Sequence, residues 1–309
     1  MSTEENKAIV GRYIDEVWNH RNLDLLTELF DPEYTVHQNG QSTKINPEPL
    51  RQGMAIAQVT FPDLHMSRDV VIAEEDKVVA HWLTRGTQKG ELRLTDLQRS
   101  LRATNRPVAF SEAVVFRIVD RKIKDGWYVS DRLTMMQQLG LVGPIGSGVQ
   151  ATVEQPPMPE PPAVIGGRAT SPEEGKALMR QLIDGVWNEA NVELANEIFH
   201  PQAVSPSAPQ LPPGPEGVKG IVAMFRSAFP DFHITIEDLV AEENGVAARL
   251  TESGTHKGEF MGVAATGKQV QFTEIGILRF GDGKVVESWY ETDMLSLMQQ
   301  LGVLRYTSG

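Results

Sequence analysis

Apolar residues recur at two different periods along this chain, and the switch from one period to the other happens twice. Ile9, Tyr13, Ile14 and Val17 fall at helical spacing and predict a first helix ending near Trp18 and Asn19. Leu23, Leu26, Leu29 and Phe30 predict a second, shorter helix stopped before Pro32. Pro47–Val59 predicts a third, with proline in the first turn, where its missing N–H costs nothing. After Phe61-Pro62-Asp63 the period falls to two. His65–Ala73, Lys77–Arg85, Arg106–Val119 and Lys122–Ser130 then read as strands. The later part of the chain repeats the order. Met179, Leu182, Ile183 and Val186 predict a helix, Leu194, Ile198 and Phe199 a short one before Pro201, and Pro215–Phe229 a third. Strands follow at His233–Ala241, Gly245–Ser253, Gln269–Phe280 and Lys284–Thr292, with Asp282-Gly283 as a hairpin turn. Helices first and antiparallel strands after predict an α+β fold in each half, with helices packed on one face of a curved antiparallel sheet that encloses a pocket.

The two halves also share their letters. Lys122–Gly140 reads KIKDGWYVSDRLTMMQQLG and Lys284–Gly302 reads KVVESWYETDMLSLMQQLG. Upstream, FPDLH at Phe61–His65 answers FPDFH at Phe229–His233, GTQKGE at Gly86–Glu91 answers GTHKGE at Gly254–Glu259, and Val17-Trp18-Asn19 answers Val186-Trp187-Asn188. The order is kept at a nearly constant offset, so one unit was duplicated. Its length is that of a domain, not of a solenoid repeat. The expected organisation is a first domain over 1–142, a Pro/Gly-rich linker over 143–172 and a second domain over 173–309. The first half carries six more residues between Glu91 and Val108 than the second does between Glu259 and Val270, where a loop could reshape a pocket mouth.

Composition narrows the chemistry. The net charge of −12 argues against a nucleic-acid groove, which needs a basic face. The absence of cysteine excludes disulfides, thiolate catalysis and cysteine-ligated zinc. The polar, acidic start lacks an apolar signal core, and no apolar run reaches the length of a membrane span. A cytoplasmic protein, without nucleic-acid or membrane partners, is expected. No HExxH and no GxGxxG occur, so neither a metal nor a nucleotide cofactor is expected.

Trp127 and Asp131, like Trp289 and Asp293, stand four apart where a strand runs into a short helix. Strand alternation would place each pair on one face, and a carboxylate beside an indole on a concave face becomes a usable acid or base. The competing reading makes each aspartate the N-cap of the following helix, with Ser130 or Thr292 as rivals. His65 and His233 each open a strand after FPD. His256 occurs only in the second half, Gln88 taking its place in the first. His37 occurs only in the first, where the second has Pro206. Glu112 and Glu274 occupy matched strand positions among apolar neighbours and could face a pocket or solvent.

Together these segments resemble the SnoaL-like polyketide cyclase family, of the nuclear-transport-factor-2-like fold. PPGPEGVKG, the stretch from FPDFH through GTHKGEFMG, and the MQQLG ending make the second half the closer match. The resemblance implies cone-shaped domains and a cofactor-independent aldol-type cyclase or isomerase acting on a polyketide-like or terpenoid carbonyl compound. It implies Asp293 as general acid/base, with Asp131 its counterpart. His233 and His256 would assist catalysis beside Trp289 in the second pocket, and His37, His65 and Trp127 would line the first. Glu274 and Glu112 are further candidates for contact with the substrate. The first half keeps His37 but lacks the PPG stretch and the GTH histidine, while the second keeps Pro212-Pro213-Gly214 but lacks the earlier histidine. A tandem pair standing in for a homodimer, a non-catalytic binder of a small hydrophobic ligand, and a hydrolase or dehydratase on the same scaffold all remain compatible with the residues.

Overall fold

The computed structural model describes residues 2–38, 40–94, 99–143, 145, 168–304 and 306. The chain divides into two compact units, one built mainly from the first 144 residues and the other from the part that ends at Val303. Most of the expected linker lies outside the described residues.

In the first unit α1 (Thr3–Arg12) starts at a capping box, where Ser2 and Glu5 exchange side-chain and backbone hydrogen bonds. It runs into a π-helical turn at Tyr13–Asn19, closed by the His20 N–H donating to the Asp15 carbonyl. The wider turn brings Asn19 to the sheet. Its side chain donates to the Met66 carbonyl at 2.9 Å and accepts from the Met66 N–H at 2.8 Å. Then come α2 (Leu26–Leu29), β1 (Phe30–Gln38), β2 (Gln41–Ile45), α3 (Pro47–Thr60), β3 (His65–Glu74), β4 (Lys77–Thr87), β5 (Leu92–Leu94), β6 (Arg99–Leu101), β7 (Pro107–Val119), β8 (Lys122–Ser130) and α4 (Arg132–Leu139). Gly140, at φ 75°, stops α4 in the left-handed conformation. The main sheet has the order β2-β1-β8-β7-β4-β3, antiparallel except for the parallel pair β1 and β8.

The second unit repeats this with α5 (Pro172–Arg180), a π-helical turn (Gln181–Asn188), α6 (Ala195–Ile198), β9 (Phe199–Val204), α7 (Pro215–Ala228), β10 (His233–Glu242), β11 (Gly245–Thr255), β12 (Gln269–Gly281), β13 (Lys284–Thr292) and α8 (Met294–Leu301). Its sheet order is β10-β11-β12-β13-β9, with β9 parallel to β13. The α+β expectation therefore holds in both units. The short second helix does not run to Phe30, however: it ends at Leu29, and Phe30 opens β1. Pro32 then lies inside that strand, at a register irregularity between Phe30 and Thr35, where a missing donor is tolerated. Apolar spacing over four residues could not separate a helical turn from the start of a strand.

The matched FPD and GT motifs prove to be one device. Asp63 accepts from the Thr87 N–H and hydroxyl, both at 2.6 Å, and Asp231 accepts from the Thr255 N–H at 2.7 Å and hydroxyl at 2.6 Å. These bonds clip the end of α3 or α7 to the end of the neighbouring strand and hold both carboxyls below their ordinary range.

Candidate active site

Strand alternation decides which residues each sheet offers to its helices. In β8 the helix-facing positions are Gly126, Tyr128 and Ser130. Tyr128 packs on Phe116 at 5.8 Å, and Phe116 meets Tyr13 of the π-helical turn at 5.8 Å. Tyr34 of β1 joins them through a 2.7 Å hydroxyl contact with Tyr128. Gly126 is required there, because a Cβ would fall inside contact distance of Tyr34 Oη and stand 2.7 Å from Tyr128 Cε2. Burial raises the Tyr34 and Tyr128 phenols well above their ordinary range and pushes Tyr13 up to about 12. Glu112, also on this face, accepts from the Ser130 hydroxyl at 2.5 Å. Its neighbours across β4 are Trp82 and, one pair further on, Thr84. The interior of the first unit is thus an aromatic core with one carboxylate at its rim.

The second unit places different chemistry on the same scaffold. Glu274 of β12 faces Leu250 of β11 and Thr292 of β13 in register, and Glu252 lies one inward position along β11. Thr292 Oγ1 donates to Glu274 Oε2 at 2.6 Å. The Glu252 and Glu274 carboxyls lie close enough on adjacent strands for each to shift the other's titration. Glu252 is 3 % exposed. Burial, then the proximity of Glu274, raise its carboxyl well above the usual range. Burial pushes Glu274 up to about 7, against the hydrogen bond of Thr292 and the proximity of Glu252, which favour its charged form. Glu274 keeps accessible surface, so of the pair it is the one a ligand can touch. Tyr290 lies on the same inward face. A Cβ on Gly276 would meet the Tyr290 ring at 3.4 Å and Glu274 Oε1 at 3.9 Å, so the glycine separates the phenol from the carboxylate. Phe272, in register with Glu252, continues the face toward a cluster of Phe232, Phe225, Trp187, Phe229 and Phe260, with ring centroids 5.0–6.5 Å apart. A close carboxyl pair beside an aromatic wall can take a proton from an acidic carbon and return it to oxygen.

The residues singled out from sequence fall into three groups. Glu274 and Glu112 face inward. Asp131 and Asp293 are helix N-caps: Asp131 accepts from the Thr134 N–H at 3.1 Å and Asp293 from the Ser296 N–H at 3.0 Å, the latter residue 7 % exposed. Ser130 and Thr292, their expected rivals for the caps, bind the inward glutamates instead.

Of the remaining residues the tryptophans, His37, His65 and His233 lie off the inward face, and His256 is buried behind the aromatic wall. Trp127 and Trp289 occupy the alternate sheet positions, away from the face that carries Tyr128 and Tyr290; in the dipeptide Trp-Tyr only one ring can point inward. Trp127 stacks on His37 with centroids 4.5 Å apart, and His37 contacts Ser42 at 2.7 Å and Asp125 at 3.5 Å on that outer face. His65 and His233 are exposed at the first positions of β3 and β10. His256 is wholly buried. Its Nδ1 accepts from the Thr266 N–H at 3.2 Å, its ring lies 5.1 Å from Phe229, and burial lowers its pKa. Gln88 performs the same clasp in the first unit, accepting from the Thr104 N–H at 3.1 Å and hydroxyl at 2.6 Å.

Glu252 and Tyr290 escaped the sequence reading. Their signal was the alternation itself, which puts Glu252 on the face of Leu250 and Ala248, and Tyr290 on the face of Thr292. Among the described residues no helix is long and apolar enough to cross a membrane.

Comparison with known proteins places these units. The chain is 30% identical over 130 residues to the aklanonic acid methyl ester cyclase DnrD of Streptomyces peucetius, a match covering 40% of this chain and 88% of that protein. It is 25% identical over 120 residues to the nogalonic acid methyl ester cyclase of Streptomyces nogalater, covering 38% of this chain and 89% of the relative. Among solved structures, TsrD from Streptomyces laurentii is 30% identical and covers 43% of this chain and 97% of its own, with a TM-score of 0.41. The profile of the SnoaL-like polyketide cyclases matches residues 8–139 and again 177–301, so the chain belongs to the SnoaL-like polyketide cyclase family and carries its domain twice.

Proposed function

We propose that the second unit catalyses a cofactor-independent ring closure of a polyketide-like carbonyl compound, with Glu274 as general acid/base. The observation that carries this is the buried Glu252–Glu274 pair, which keeps Glu274 near neutrality beside an aromatic wall. Glu274 as carboxylate removes a proton from a carbon flanked by carbonyls, and the resulting enolate attacks a second carbonyl of the same molecule. One C–H bond breaks, one C–C bond forms, and the proton held by Glu274 passes to the new alkoxide. No electrons are gained or lost, so the chemistry needs no redox partner. Glu252 keeps its own proton throughout and tunes the base without touching the substrate.

The relatives named above support a carbonyl-rich polyketide as substrate, and aklanonic acid methyl ester is the first compound to test. Replacing Glu274 with Gln lowers kcat by about a hundredfold to ten-thousandfold, the usual contribution of a positioned acid/base. Asp293→Asn keeps a competent cap and lowers kcat less than about threefold. The opposite ranking would move the acid/base role to Asp293, the residue the family resemblance implies. Full turnover in both variants would favour a hydrolytic or purely binding role.

A further inference from the structure

The duplicated unit supplies its own control for one tyrosine. Tyr128 and Tyr290 occupy the same position, between Trp and the last residues of β8 or β13. In the first unit the Tyr128 hydroxyl meets that of Tyr34 at 2.7 Å. The parallel strands share one register, Phe30 opposite Ile123 and Phe199 opposite Val285, so Ala203 stands in the second unit where Tyr34 stands in the first. Ser288 likewise replaces Gly126, whose missing side chain makes room for Tyr34. Without a tyrosine at position 203, the Tyr290 hydroxyl is buried with no partner at full hydrogen-bond geometry, and Ser288 is the hydroxyl beside it. A cavity of about 30 Å³ opens there, lined by Ala203, Ser205, Leu211, Val218, Ser288 and Tyr290. The Ser205 hydroxyl is already spent on the Ser288 carbonyl at 3.0 Å. What remains are the Tyr290 and Ser288 hydroxyls in an otherwise apolar recess large enough for a single oxygen-bearing group.

We infer that this recess is an oxygen subsite, in which Tyr290 Oη donates a hydrogen bond to a carbonyl or enolate oxygen of the ligand while the adjacent carbon lies toward Glu274. A buried hydroxyl without a partner is costly, and a ligand oxygen relieves that cost. Burial, and next the charge of Glu274, raise the Tyr290 phenol far above neutrality, so it stays a donor throughout the working range. During proton removal the electron pair of the C–H bond moves onto that oxygen and Tyr290 keeps its own proton. The neighbouring carbon's approach to Glu274 rests on the acid/base reading above; the oxygen subsite does not.

The probe is 1,8-dihydroxyanthraquinone, a flat ring system bearing carbonyl and hydroxyl oxygens, titrated into the full chain and followed by its visible absorbance. Tyr290→Phe should weaken binding about threefold to tenfold, the value of one buried neutral hydrogen bond. The double variant Ala203→Tyr/Ser288→Gly rebuilds the Tyr34–Gly126 arrangement that the first unit already packs, and should weaken the site at least as much while melting cooperatively. Equal affinity in both variants and the wild-type chain, or no binding to the wild-type chain, would overturn the subsite. If Tyr290→Phe weakens the probe while Glu274→Gln retains turnover, the acid/base reading fails and the subsite stands. The converse result removes the subsite alone.

Discussion

At the scale of the residue, the second unit turns on one carboxylate replaced by a hydroxyl in its sister. Glu252 has Thr84 as its counterpart, and that exchange separates a lone rim glutamate from a close carboxyl pair. Two observable consequences have opposite signs. Catalysis by Glu274 needs the charged form, so kcat/KM should rise with pH through a limb near 7, read directly from a pH–rate profile. Stability runs the other way. The folded chain binds a proton at Glu274 more tightly than the unfolded chain, whose carboxyl titrates near 4.5. The contribution of this group is therefore complete below that value and is lost as pH rises to about 7. The loss is about 3 kcal/mol, extended further upward by Glu252, and urea denaturation between pH 4.5 and 8 should show Glu274→Gln flattening the slope. Glu274 was visible in the sequence as a matched glutamate, but its partner was not. Pairing depends on register across β11 and β12, which no local pattern states. The Trp-x3-Asp spacing was visible too, and misled by one position: the inward ring belongs to the tyrosine after the tryptophan.

At the scale of the element, most strands and the longer helices could be read from period and punctuation, because alternation, proline and glycine act locally. The two parallel strands β1 and β9 could not. Each begins at the residue directly after a short helix and acquires strand character by pairing with the last strand of its unit. The π-helical turns were hidden for a similar reason, since their apolar spacing resembles that of an α-helix. Their purpose is visible in Asn188, which donates to the Ile234 carbonyl at 2.9 Å and accepts from the Ile234 N–H at 2.8 Å, as Asn19 does with Met66. Asn188→Ala leaves both backbone groups of Ile234 short of a partner and should cost about 2 kcal/mol in urea denaturation. Asn188→Asp keeps the acceptor but loses the donor and should fall between the two.

At the scale of the whole molecule, duplication allowed the two interiors to diverge while five common strands and their clips were kept. The first unit filled its interior with Tyr13, Tyr34, Trp82, Phe116 and Tyr128, whereas the second kept aromatic rings at one end and polar groups at the other. Steady-state turnover should therefore change less than about threefold in Glu112→Gln, against the large loss in Glu274→Gln. Equal losses would show both units at work.

The exchange of Tyr34 and Gly126 for Ala203 and Ser288 also carries a history. A side chain at position 126 cannot coexist with the bulk of Tyr34, whereas Ala203 leaves space beside Ser288. Change from one arrangement to the other therefore has a permitted order: the large residue shrinks before the glycine can grow, and on the reverse route the glycine returns before the tyrosine can. The effects of the two substitutions are not additive, and a lineage that has made the second step cannot easily regain its tyrosine.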